Sequence, residues 1–166
     1  MPEAISIKER VERRIAEVVG AVSGVASVER WQASGNTRDA FSALIIAEDE
    51  SCDEGGSGGD TDGLTTTTLL VRVELLVAQR HDETDSSSHI HNRWLARIEQ
   101  AVMADPSLVE PATGEALAID VRKAGSSNPP VEDDQTEFFT IIDFEVIYDT
   151  YRSNPYEGPG ITERQI

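Results

Sequence analysis

The chain has 166 residues, the size of a single domain, and carries 31 aspartates and glutamates against 14 lysines and arginines, a formal charge of -17. That balance argues against nucleic acid or an anionic membrane as a tightly held partner, because both need an excess of cations at the contact. The lone cysteine, Cys52, rules out an internal disulfide framework, and no stretch approaches the run of about 18 apolar residues that a spanning helix needs.

Over residues 7–22, Ile7, Val11, Ile15, Val18, Val19 and Val22 recur at helical spacing with charged residues between them, which predicts an amphipathic helix. A short strand over 25–32 follows, ended by Ser34, Gly35 and Asn36, and a second strand over 41–47. Residues 48–63 then turn acidic and glycine-rich with no lysine or arginine, a composition that predicts a flexible loop. Residues 65–79 alternate: Val71, Val73, Leu75 and Val77 share one face, and Leu70, Arg72, Glu74 and Leu76 share the other. This predicts a long central strand.

Polar residues from Asp82 to Ser88 offer N-caps for a second helix carrying Ile90, Trp94, Leu95, Ile98, Ala101 and Val102, ended by Asp105 and Pro106. A strand over 116–123 leads to a turn-forming run, Gly125 to Pro130. The last strand places Phe138, Thr140, Ile142, Phe144, Val146 and Tyr148 on one face, and Phe139, Ile141, Asp143, Glu145, Ile147 and Asp149 on the other. The order predicts one α+β domain over 1–150, with a single mixed sheet of four to five strands and both helices on one face. Residues 151–166 are expected to form an irregular C-terminal arm, held in place only by a partner.

The search for chemistry leaves little. Gly55 to Gly63 has glycines but no lysine, and its carboxylates repel phosphate. His81, His89 and His91 are metal-ligand types, but on a helix residues i and i+2 point apart, so a solvated helix start is expected. Asp60-Thr61-Asp62-Gly63 lacks the closing glutamate of a calcium loop. Cys52 sits among carboxylates, a poor setting for a thiolate. Ser86 to Ser88, Ser126 and Ser127 read as caps and turns, and Asp143 with Glu145 reads as a solvent-facing or subunit-facing sheet surface. No catalytic, cofactor-binding or metal residue is expected, and the chain is read as a non-enzyme.

The closing run from Phe139 to Tyr151, followed by Asn154-Pro155-Tyr156, resembles the C-terminal strand of the tail terminator (tail completion) proteins of long-tailed bacteriophages, and the order of elements agrees along most of the chain. The acidic insertion at 48–63 departs from that pattern. The resemblance implies a hexameric ring that caps the tail tube, contacts the tail tube protein and the head-tail connector, and lets DNA pass through its channel without tight binding. It implies a place at the head-tail interface of the virion, after synthesis in the host cytoplasm. The alternatives are another head-tail joining or neck subunit, or a non-viral small-molecule or metal-binding module.

Overall fold

The computed structural model describes residues 4–30, 39–53, 63–79, 84–129, 136–151 and 154–158, excepting the side chains of Asp49 and Asp53. In chain order the elements are α1 (Ile7–Gly20), β1 (Ser27–Arg30), β2 (Ser42–Asp53), β3 (Leu64–Ala78), α2 (Ser87–Met103), β4 (Asp120–Ser127) and β5 (Glu137–Tyr151). The strands form one mixed sheet of order β1-β2-β3-β5-β4. β1 pairs parallel to β2, and the other neighbours pair antiparallel. β3 and β4 therefore run the same way with β5 between them, joined by the crossover that contains α2. This is the expected α+β fold, with both helices on one face of the sheet.

Each helix begins where a serine can satisfy an orphan amide. The Ser6 hydroxyl accepts from the Glu9 N–H at 3.2 Å, and the Ser86 hydroxyl accepts from the His89 N–H at 3.3 Å. α1 buries Ile7, Val11, Ile15 and Val19, one residue per turn, while α2 buries Ile90, Trp94, Leu95, Ile98 and Val102. These pack on Val71, Val73, Leu75 and Val77 of β3 and on Phe138, Ile142, Phe144, Val146 and Tyr148 of β5. The period of two along the strands meets the period of 3.6 along the helices in a single core.

Three expectations are corrected. Residues 48–53 are not loop: they extend β2, and residues 50–53 pair with residues 66–69 of β3 after a register shift between Ala47 and Glu50. Among the described side chains, Glu48 and Glu50 hold ion pairs with Arg72 and Lys8, and the exposed Ser51 and Cys52 lie opposite Thr68 and Thr67. Residues 54–62, the rest of the acidic segment, lie outside the described residues.

The fourth strand starts later and runs further than its composition suggests. Ala116 bridges to Val109 instead, and β4 continues through Gly125, Ser126 and Ser127, which pair with Asp143, Ile142 and Ile141 past a second register shift. A polar run suits this position because β4 is an edge strand.

The third correction concerns the start of the C-terminal arm. Tyr151 ends β5, Asn154 bridges back to it, and the Pro155 carbonyl accepts the Ile7 N–H at 3.1 Å, which caps the first turn of α1. Gly158 lies so close that a Cβ there would stand 2.6 Å from the Asp149 carbonyl oxygen. Residues 154–158 are thus held by the chain itself. Residues 152–153 and 159–166 lie outside the described residues.

Candidate functional site

The two helices leave one face of the sheet uncovered among the described elements. Strand register fixes what stands on it: Leu44 and Ile46 of β2, Leu70, Arg72, Glu74 and Leu76 of β3, and Phe139, Ile141, Asp143, Glu145 and Ile147 of β5. At its centre the Arg72 guanidinium donates two bonds to Asp143, Nε to Oδ1 at 2.8 Å and Nη2 to Oδ2 at 3.2 Å, and Nη1 lies 3.0 Å from the Glu48 carboxylate. This fork geometry orients all three side chains, and the bond to Asp143, helped by the nearby negative charge, holds the guanidinium pKa above its ordinary value. Aliphatic and aromatic groups flank the trio. Leu76 is 7% exposed and its cross-strand neighbour Phe139 is 37% exposed. Among the described residues this face thus combines half-exposed apolar groups with one oriented ion trio.

A smaller feature lies where the α1 start and Pro155 meet the sheet. A cleft of about 370 Å3 is lined by Ser6 and Lys8 of the α1 start, Glu50 and Cys52 of β2, Thr67 of β3, and Tyr148 of β5. The Tyr148 hydroxyl donates to Glu50 Oε1 at 3.0 Å, and the Lys8 ammonium donates to Glu50 Oε2 at 2.9 Å. Burial pushes the Glu50 carboxyl up, but these two bonds outweigh it and the pKa lies below the usual value. Burial, with the Glu50 charge beside it, pushes the Tyr148 phenol well above its ordinary value. The phenol is held as a donor to Glu50. Cys52 is exposed, with Sγ 3.6 Å from the Thr67 hydroxyl.

A wider groove of about 960 Å3 separates α1 from β1. On its walls Arg13 and Arg30 both reach the Glu9 carboxylate, at 2.9 and 2.6 Å. Glu12, also on this wall, has its carboxyl pKa raised, by burial first and then by the charge of Glu9.

The histidines separate as the helical geometry requires. His89 is exposed, whereas His91 is buried and its Nδ1 stands 3.0 Å from the Thr140 hydroxyl. The expected solvated helix start thus holds for His89 and fails for His91, which the twist of α2 turns onto the sheet. His81, Asp60, Asp62 and the run from Gly55 to Gly59 lie outside the described residues. Among the described residues no three His, Cys, Asp or Glu side chains converge as a metal site. Ser86 is the α2 cap, Ser87 and Ser88 open that helix, and Ser126 and Ser127 lie in β4. Asp143 and Glu145 stand on the open face, Asp143 bound by Arg72 and Glu145 exposed.

The Arg72 trio was readable in part, because opposite charges facing each other across two strands pair. The Tyr148–Glu50–Lys8 set was not, since the register shift after Ala47 turns Glu50 toward the helices. No described helix is long and apolar enough to cross a membrane. Neither a scan against protein-family models nor a search of curated proteins finds a match for this chain.

Proposed function

We propose that the protein is a non-enzymatic assembly subunit of a virion, the tail terminator that closes into a ring, caps the tail tube and meets the head-tail connector. The observation that carries this reading is the sheet itself: one face is packed by helices, and the other is left half-dry, with Phe139, Ile141 and Ile147 around an oriented ion trio. A surface of that kind is built to be covered. The resemblance of the β5 sequence and its Asn-Pro-Tyr extension to tail terminators names the assembly. A ring requires heterologous contacts, in which one patch meets a different patch on the neighbour, and the short edge strand β1 and the polar edge strand β4 leave such patches at both sides of the sheet. The charge of -17 suits a channel wall past which DNA slides, since carboxylates repel phosphate.

The reading is tested on the tube. Tail tube protein polymerised with increasing amounts of this protein should give shorter, capped tubes, measured in electron micrographs. Tube lengths that ignore it, with no particle at the tube ends, would contradict the assignment.

A further inference from the structure

The groove between α1 and β1 holds a charge that its own walls leave unmatched. Part of its lining is aliphatic: Ala16 of α1, Val28 of β1 and Ala47 of β2 are each partly buried against the core. Glu12 lines the same groove, one helical turn before Ala16. Residues four apart on a helix are surface neighbours, so the carboxylate and the aliphatic lining lie side by side.

The cations whose charge reaches Glu12, Lys8 and Arg30, are engaged elsewhere. Lys8, four residues earlier on α1 and so placed to pair with Glu12, spans instead to Glu50 at 2.9 Å. Arg30 and the neighbouring Arg13 are bonded to Glu9. Glu12 itself holds no ion pair or hydrogen bond with any described residue. The charges of Lys8 and Arg30 are opposed by those of Glu9 and Glu50, and burial raises the Glu12 carboxyl pKa. A partly desolvated carboxylate without a donor is costly, and a cation entering the groove relieves that cost.

We propose that this groove binds an alkylammonium or alkylguanidinium ion, the group that lysine and arginine carry, with its head on the Glu12 carboxylate and its methylene stem along Ala16, Val28 and Ala47. A long stem ending in a cation suits an aliphatic lining beside an anion, because such chains bury the stem and keep the head at a polar rim. An anion is disfavoured, since Glu12 repels it at close range. The site is independent of the ring reading, and its test is read on the single chain.

The test titrates the full chain by amide NMR with n-butylguanidinium, the stemless guanidinium ion, neutral n-butylurea and a blocked peptide with one central arginine. The variants are E12Q, which keeps the side-chain shape and removes the charge, A16L, which fills the groove, and E145Q as a control at an exposed carboxylate of the opposite sheet face. Melting midpoints check that each variant folds. The expected result is a shift of the Ala16, Val28 and Arg30 amides by butylguanidinium, with binding weakened at least about tenfold for guanidinium, for butylurea and in E12Q and A16L, and unchanged in E145Q. Tighter binding of the peptide than of butylguanidinium would identify a protein side chain as the source of the cation, and the reverse a free small molecule. Equal binding of butylurea, no loss in E12Q, an equal loss in E145Q, or no shift at all would overturn the inference.

Discussion

Trp94 sits 5% exposed under the turn that follows α1, with its ring centroid 5.8 Å from that of Phe41. Gly24 in that turn has φ +98°, and a Cβ there would lie 2.8 Å from Trp94 Cη2, so both backbone and ring require glycine. Trp94→Ala is expected to cost about 3–5 kcal/mol in urea denaturation, and Gly24→Ala about 1–3 kcal/mol from strain. Because part of the Gly24 cost is collision with the ring, the double variant should lose less than the two singles together. Exact additivity would show that the ring and the turn are uncoupled. His91 makes a second residue-scale prediction. Burial lowers its pKa from the ordinary 6.5, so the folded state resists the proton that the unfolded chain accepts. The stability it confers is complete above 6.5 and declines as the pH falls below that value toward the lowered folded one. Urea midpoints at pH 8 and pH 5.5 should differ more for the native chain than for His91→Gln, and equal differences would remove His91 from the account.

The β2–β3 hairpin shows at the scale of an element what composition conceals. Residues 48–53 read as loop because carboxylates are poor strand formers and no alternation of apolar groups marks them. Yet Glu48 reaches Arg72, and Glu50 reaches both Lys8 and Tyr148, partners 24, 42 and 98 positions away that a local reading does not see. The opposite holds for β3, β5 and the helices, whose faces were legible because one side of each is packed and the apolar period is unbroken. The open sheet face was legible as alternation, but its half-dry character was not, since alternation does not say what covers the second side. Replacing 48–63 by a short turn therefore removes four ladder pairs and the contacts of Lys8, Arg72 and Tyr148. We expect a loss of at least about 3 kcal/mol, at roughly 1 kcal/mol for each hydrogen bond removed. A melting midpoint within about a degree of the parent would show that these pairs contribute nothing.

The described residues combine a one-sided core, a sheet face that neither helix covers and a strap, residues 154–158, tied to the α1 start. In the proposed ring the charge of -17 per chain opposes assembly, since copies repel at every approach. Exposed charges are screened within about 8 Å at physiological ionic strength, so salt and divalent cations should favour the closed assembly. Light scattering across a sodium chloride and magnesium series, on the protein alone and mixed with tail tube protein, tests this central claim most directly. The account predicts a discrete mass of six chains that becomes more populated as screening increases. A strict monomer at high concentration in every condition, with and without tail tube protein, would contradict it.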